Sequence, residues 1–167
     1  MSLKSPVEPY FTALAEIRAT GGGVQETSYY PALINLLNAV GETLKPRVLA
    51  ISQLQNTGAG NPDAGLFAAS QFPKGAGEPL PGQLPERGVV EIKGMADDGW
   101  LTASGAQVGK YWEKYRLVLV TNYRDFLLVG ADRAGQPVVL ETLRLAESAE
   151  AFWAKLAQPR AFAQARG

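Results

Sequence analysis

The chain has 167 residues and no net formal charge at pH 7, with 46% hydrophobic and 19% charged residues. This length and composition predict one soluble globular domain with a sizeable core and exclude an intrinsically disordered chain. The chain contains neither cysteine nor histidine, which excludes disulfides, thiolate zinc sites and mechanisms that depend on histidine. Any bound metal must therefore be held by oxygen atoms, which suits Mg²⁺, Mn²⁺ or Ca²⁺.

Nothing in the sequence predicts membrane insertion or secretion. There is no apolar run of the ~18 residues that a spanning helix needs, and no signal-peptide pattern, so we expect a cytoplasmic protein without membrane contact. The zero net charge opposes tight, sequence-independent DNA binding by this domain alone, because that affinity comes largely from neutralised phosphates. It leaves open a nuclease module that other parts of a longer polypeptide bring to DNA.

Two helices are predicted before the first strand. Apolar side chains recur at a spacing near 3.6 over residues 7–20, which predicts an amphipathic helix that stops at the three glycines of residues 21–23. Ser28 is the expected N-cap of a second helix, which has Pro31 in its first turn and ends near Gly41.

Two strands and a long loop follow these helices. Residues 48–54 alternate loosely and predict a strand, and residues 66–69 continue a second strand after a turn at residues 56–61. Residues 71–88 include four prolines and several glycines. We interpret them as a surface loop inserted between two core strands rather than as a linker, so that residues 1–167 form a single domain.

The second half of the chain predicts a strand, a helix, three strands and a closing helix. Residues 89–92 are rich in β-branched side chains and bounded by glycines, and a helix is expected to begin near Ser104. Residues 94–100 are expected to be a loop in which Asp97 and Asp98 form turns rather than bind a metal. The remaining strands are expected at residues 117–121, 126–129 and 138–140, the last extending toward residue 145, and the final helix at residues 149–156. This order predicts a mixed α/β sandwich with helices on both faces of a central sheet.

Glu91 and Lys93 form the first candidate site. The period of a strand places both side chains on one face, at the end of an otherwise apolar segment. Burying such a pair costs several kcal/mol unless a metal, a ligand or further polar groups compensate. The alternative is a solvated pair on an edge strand, which is the more common role of such a pattern.

Asp63 is the second candidate. It follows Pro62, which belongs at a turn or at the start of a strand, so its carboxylate is expected at the mouth of the second strand. Pro62-Asp63 followed by Glu91-Ile92-Lys93 resembles the signature of the PD-(D/E)XK nuclease superfamily. The resemblance implies that Asp63, Glu91 and Lys93 are catalytic, and that Asp63 and Glu91 bind a metal.

Gln107 and Tyr111 resemble the Gln-x-x-x-Tyr motif of one branch of that superfamily. Gln107, Tyr111 and Lys114 share one helical face at i, i+4 and i+7, and the resemblance implies that they and Lys110 bind the substrate. Two other interpretations stay open. Ser104 to Gln107 fits a capping box, in which Gln107 reaches back to a backbone N–H. Lys110 and Lys114 fit a solvated face equally well.

Glu26 precedes the second predicted helix. A carboxylate there favours the helix dipole, and this is its simplest interpretation from the residues alone. Many nucleases of the superfamily take an additional acidic residue from the first core helix. The resemblance of residues 26–31 to that element implies that Glu26 is a further metal ligand.

The resemblance covers roughly residues 25–130 and implies a restriction-endonuclease-like fold that hydrolyses phosphodiester bonds of double-stranded DNA with Mg²⁺ or Mn²⁺. Within the superfamily, the chain most resembles the N-terminal endonuclease domain of type I-like or single-chain restriction–modification polypeptides. In those proteins, adenine DNA methyltransferase and target-recognition regions follow the endonuclease domain. This chain has no Asn-Pro-Pro-Tyr methylation motif and no glycine-rich cofactor-binding loop. We therefore expect either a fragment of a longer protein or a stand-alone member.

Two other functions compete with the enzyme. One is a non-catalytic module of the same fold that docks on DNA or on neighbouring domains of a methyltransferase or restriction protein. The other is a structural interaction domain in which the motif match is accidental. The presence of Asp63, Glu91 and Lys93 together favours the enzyme over both.

Overall fold

The computed structural model describes residues 5–21, 26–52, 54 and 58–158. Apart from one short helix, the helices and strands follow each other in the predicted order. In chain order they are α1 (Val7–Ala19), a 3₁₀ turn (Glu26–Tyr29), α2 (Tyr30–Thr43), β1 (Val48–Ser52), β2 (Ala64–Ala68), a second 3₁₀ turn (Ala69–Gln71), β3 (Val89–Ile92), α3 (Gly99–Ala103), α4 (Ala106–Tyr115), β4 (Val118–Thr121), β5 (Asp125–Ala131), β6 (Pro137–Arg144) and α5 (Ala149–Leu156). No helix in these ranges is long and apolar enough to cross a membrane.

The strands form one six-stranded mixed sheet in the order β1-β2-β3-β4-β5-β6. Every neighbouring pair is antiparallel except β3 and β4, which run parallel. A parallel pair needs a crossover, and α3 and α4 supply it between these two strands. The ends of β3 and β4 therefore meet at the same edge of the sheet, where β3 carries Glu91.

Helices cover both faces of the sheet, as predicted. On one face α1, α2 and α5 pack through a core that includes the fully buried Leu14, Leu33 and Phe152. On the other face α4 packs Val108 and Trp112 against the alternate side chains of β3, β4 and β5. The central strands are thus covered by apolar side chains on both faces. A polar side chain buried there needs a hydrogen-bonding or charged partner.

Two predicted helix starts are wrong. An N-cap side chain bonds helix N–H groups from extended backbone, but the residue before α2 is Tyr29, whose backbone is helical (φ −90°, ψ −7°). Ser28 lies inside the preceding 3₁₀ turn. The capping box that stayed open as an interpretation of Ser104 to Gln107 is also absent, since the N-cap of α4 is Gly105 and no side chain caps this helix. The Ser104 hydroxyl instead donates to the Leu101 carbonyl.

The predicted loop at residues 94–100 contains the start of a helix that sequence periodicity did not show. Asp98 Oδ1 accepts from the backbone N–H groups of Trp100 and Leu101, at 2.8 and 3.2 Å, and so begins α3. Asp97 Oδ2 accepts from the Gly94 N–H at 2.9 Å. The predicted role in a turn is therefore confirmed for Asp97, whereas Asp98 caps a helix instead.

Residues 72–88 contain no helix or strand and are tied at their base by one side chain. Gln71 is only 3% exposed. Its Oε1 accepts from the N–H groups of Ala68 and Glu86, and its Nε2 donates to the Leu84 carbonyl. The two ends of the long loop are thus joined through a buried glutamine.

Candidate active site

Asp63 and Glu91 lie side by side where β2 meets β3. The two strands pair antiparallel with Ala64 opposite Val90; Asp63 directly precedes Ala64, and Glu91 directly follows Val90. The Asp63 N–H donates to the Val90 carbonyl at 3.1 Å, which continues the ladder by one bond. The Asp63 carboxylate is close enough to Glu91 to contribute to the raised pKa of that residue. The sequence motif is therefore assembled by strand pairing rather than by chain proximity.

Both oxygens of the Asp63 carboxylate accept hydrogen bonds from the protein. Oδ2 accepts from the Ile92 N–H at 2.7 Å. Oδ1 accepts from the Tyr30 hydroxyl at 2.8 Å. Ile92 lies between Glu91 and Lys93, so the first bond fixes Asp63 relative to both of these residues. A carboxylate has about four acceptor positions, which leaves room for a cation as well.

Glu91 is buried and paired with Lys93. Lys93 Nζ lies 2.8 Å from Glu91 Oε1, and the side chains are 43% and 7% exposed, respectively. The lysine therefore keeps contact with water, while the glutamate side chain is largely shielded from it. The alternative of a fully solvated pair on an edge strand is wrong, because β3 is an interior strand and Glu91 is shielded on both sides.

The electrostatics of the site follow from this burial. Burial raises the pKa of Glu91; the hydrogen bond from Lys93 opposes that shift, and the nearby Asp63 carboxylate adds to it. Burial, helped by Glu91 and Asp63, likewise raises the pKa of Tyr111 to about 12. Tyr111 is thus a proton donor throughout the neutral range. Glu91 therefore holds its proton more tightly than an ordinary glutamate does.

The face of α4 formed by Gln107, Tyr111 and Lys114 lies against a glycine-containing turn. Gln107 Nε2 donates to the Ala59 carbonyl at 3.0 Å. A Cβ on Gly60 would lie 2.9 Å from that same nitrogen and 3.6 Å from the Tyr111 hydroxyl, and one on Gly58 would lie 3.6 Å from Lys114 Nζ. Gln107 therefore anchors the segment that leads into Asp63.

The remaining predicted site residues are two lysines on α4 and Glu26, and each has different surroundings. Lys110 is exposed on α4. The Lys114 ammonium lies 5.7 Å from the centre of the Tyr115 ring, in the range of a cation–π contact. Glu26 begins the 3₁₀ turn that leads into α2, and its side chain is outside the described part of the structure.

Two supporting features were not predicted. One is Tyr30, which entered the prediction only as part of residues 26–31; no pattern in the sequence singled it out. The other is a buried cluster just beyond β4. Asp125 accepts from Arg124 and Arg144, each at 2.8 Å, and Arg124 Nε donates to the Met95 carbonyl. Arg124 thus braces the loop that follows Lys93.

The donor set suits a hard divalent cation. Among the described residues, no three acidic side chains are gathered at one point. Mg²⁺, however, usually keeps several waters and takes only one or two carboxylates together with substrate phosphates. Asp63 and Glu91 supply two carboxylates at neighbouring positions, one of them buried. These two residues could hold the ion.

The fold is similar to a solved structure, the cryo-EM structure of a DrdV–DNA complex, with a TM-score of 0.57 and 22% sequence identity. The match covers 92% of this chain and 13% of that chain. No family model matches the sequence, and no curated protein matches it. The likeness, together with the six-stranded mixed sheet, shows a restriction-endonuclease-like α/β fold.

Proposed function

We propose that this chain is a metal-dependent DNA endonuclease module that hydrolyses phosphodiester bonds. One observation carries the proposal: a buried glutamate on β3 and the half-exposed lysine that follows this strand lie beside an aspartate that is bonded to the backbone between them. A sheet that needed only stability would place apolar side chains at this position, since replacing a buried ion pair by hydrophobic residues is often neutral or stabilising.

Asp63 and Glu91 would hold Mg²⁺ or Mn²⁺, and Glu26 would assist. When bound, such an ion polarises the phosphate and lowers the pKa of a bound water. The carboxylate oxygens suit these cations, and the raised pKa of Glu91 indicates a carboxylate that gains by acquiring a cation.

The other residues would act on the substrate directly. The Lys93 ammonium would stabilise the negative charge that develops on the pentavalent phosphate and orient the attacking oxygen. Tyr111 remains protonated at neutral pH because its pKa is about 12, so its hydroxyl can donate to a phosphate oxygen. Lys110 and Lys114 would contribute positive charge along the DNA backbone. Gln107 would keep the segment before Asp63 in place.

We further propose that the module belongs to a restriction–modification enzyme in which methyltransferase and target-recognition regions supply most of the DNA affinity. Two observations support this. The chain has no net charge, and the structure that it resembles is a DNA complex of a protein of which the matched region is only 13%. The methyltransferase would be the partner within the same parent chain.

The experiment that tests the nuclease is Lys93→Ala. Cleavage of double-stranded DNA should fall by ~10²–10³ or more, because a preorganised charge aimed at the transition state is removed. The assay should use the parent enzyme or this chain fused to a DNA-binding domain, so that weak binding by a neutral domain does not mask cleavage. Lys74→Ala, in the exposed long loop, is the matched control and should cleave at the wild-type rate.

Thermal melting separates loss of activity from loss of fold. Lys93→Ala leaves the buried Glu91 carboxylate without its cationic partner, which costs stability unless a proton or a metal ion takes its place, so the melting temperature of the variant in Mg²⁺ must be known before its cleavage rate is compared. A folded Lys93→Ala protein that cleaves DNA at the wild-type rate would overturn the proposed mechanism.

A non-catalytic docking module is the second candidate, and one observation favours it. Both oxygens of Asp63 are already hydrogen-bonded within the protein, as expected for a structural aspartate. This candidate predicts saturable binding to DNA or to a methyltransferase domain, with no cleavage in Mg²⁺ or Mn²⁺ by the parent enzyme. The nuclease predicts cleavage that requires Asp63 and Lys93.

A further inference from the structure

Tyr30, the first residue of α2, contacts the carboxylate of Asp63. Its hydroxyl donates to Oδ1 at 2.8 Å, and the two residues are 33 positions apart in sequence. A bond between such distant positions brings the start of α2 to the mouth of β2. Asp63 itself is only partly buried, so water would satisfy its carboxylate if the tyrosine were absent.

The position of Tyr30 is set by the packing of its neighbour. Tyr29 is 9% exposed, and its ring contacts those of Tyr123 and Trp153, with centroids 5.5 and 5.7 Å away. These contacts anchor the last residue of the 3₁₀ turn in the core. Tyr30 then begins α2 and directs its hydroxyl to Asp63. The geometry of the bond is therefore built into the fold rather than into a loose surface contact.

We propose that Tyr30 is a positioning residue for Asp63 that orients the carboxylate for a divalent cation. This inference rests on the proposed function. Tyr30 and the Ile92 N–H hold one oxygen each, so the carboxylate plane is fixed and the remaining acceptor positions have a defined direction. Groups that hydrogen-bond a metal ligand typically contribute 10–100-fold to metal affinity or activity.

The test is a titration of the 167-residue chain with Mn²⁺, followed by electron paramagnetic resonance of the free ion. Four proteins are compared: the wild type, Tyr30→Phe, Asp63→Ala and Tyr10→Phe. Tyr30→Phe removes one hydroxyl and keeps the ring, and it should weaken Mn²⁺ binding ~10–100-fold. Tyr10→Phe is the matched control, since the Tyr10 hydroxyl is bonded at 2.7 Å to the Tyr123 carbonyl, in the core. It should lower the melting temperature and leave the Mn²⁺ affinity unchanged.

The outcomes separate this inference from the proposed function. Loss of binding in Asp63→Ala with wild-type affinity in Tyr30→Phe would overturn the role of Tyr30 and leave the metal site in place. Equal binding by Asp63→Ala and the wild type, or no saturable binding by the wild type, would overturn the metal site and the role of Tyr30 with it. A reduced affinity in Tyr10→Phe equal to that in Tyr30→Phe would show a general loss of packing and would also overturn the inference.

Discussion

Glu91 lies in an environment unlike that of an ordinary surface carboxylate. It lies on an interior strand, is 7% exposed at its side chain, and has Lys93 as its cationic partner. Burial raises its pKa, so the native state holds a proton more tightly than the unfolded chain does. In the metal-free protein the free energy of unfolding must therefore fall as pH rises from the ordinary glutamate pKa through the raised one.

Glu91→Gln should remove this loss. The amide keeps the shape of the side chain and has no charge to desolvate, so the metal-free variant should be more stable than the wild type at pH 7.5, by about 1 kcal/mol. Below about pH 4 both side chains are neutral and the difference should vanish. Thermal melting in EDTA between pH 4 and pH 8 measures this directly.

The sign of the result is informative because Lys93 keeps 43% of its side chain exposed. Water can solvate the ammonium once its partner is neutral, so the variant carries no stranded buried charge. A Glu91→Gln protein that melts below the wild type at pH 7.5 would mean that the ion pair stabilises the fold, and the burial argument would be wrong.

At this scale the sequence predicts strand neighbours well and distant partners poorly. The period of a strand places Glu91 and Lys93 on one face, and their ion pair follows from local geometry. The bonds that orient Asp63 come from Tyr30 and from the Ile92 N–H. They depend on how α2 and β3 meet β2, which no local pattern encodes. The same holds for Gln107, whose bond to Ala59 spans 48 positions.

Among the elements, α4 and the turn before β2 act as a unit. Gly60 has φ +107°, which side-chain-bearing residues rarely adopt, and it lies directly against Gln107 and Tyr111. Close approach of backbone to a helix requires a residue without Cβ. The turn is therefore held on α4, and its last residues deliver Asp63 to the site.

Gly60→Ala should lower both stability and metal affinity. The backbone conformation alone costs ~1–3 kcal/mol, and the new Cβ would displace the Gln107 amide from 2.9 Å. Melting temperature and Mn²⁺ titration give the two readouts. Gly75→Ala is the matched control, because Gly75 also has a positive φ, +79°, but would meet nothing within 4 Å.

Comparison of the two variants separates the effect of losing the contact with α4 from the effect of backbone strain alone. Gly75→Ala should lose some stability and keep the wild-type Mn²⁺ affinity. If Gly60→Ala also keeps that affinity, the turn does not control the position of Asp63.

Element prediction succeeded where apolar periodicity was strong and failed where short polar contacts decide. α1 and α5 have stripes that their sequence shows clearly, and the bounds agree within a residue or two. α3 has five residues and depends on the Asp98 carboxylate as its N-cap, so periodicity could not reveal it. β6 is exposed along its whole length, and its end at Arg144 was predicted only approximately because no buried face fixes it.

For the whole molecule, the core that α1, α2 and α5 form on one face of the sheet joins the parts of the chain on either side of the long loop. Leu14 and Leu33 come from the N-terminal side, and Tyr123 and Phe152 come from the C-terminal side. By contrast, β2 and β3 share only two paired positions in the sheet. Cohesion between the two parts therefore depends more on side-chain packing than on the strand ladder.

A protease site introduced at residues 75–78, which are exposed, should allow the chain to be cut without separating the parts. We expect both pieces to elute together in gel filtration and to melt in one cooperative transition, because the shared core is untouched. Gln71→Ala should lower the stability of the cut protein by ~1–3 kcal/mol, since its backbone partners lose a buried hydrogen-bonding group. Separate elution of the pieces without denaturant would contradict this account.

The buried amide of Gln71 also makes the long loop tolerant of insertions. The Gln71 side chain joins Ala68, Leu84 and Glu86 at the base of the loop. A change in the length of the loop tip should therefore leave the register between β2 and β3 unchanged. Lengthening a flexible loop adds only ~0.6 kcal/mol for each doubling. The loop is therefore an insertion point, where a further folded unit can be spliced into the polypeptide while Asp63 and Glu91 keep their places.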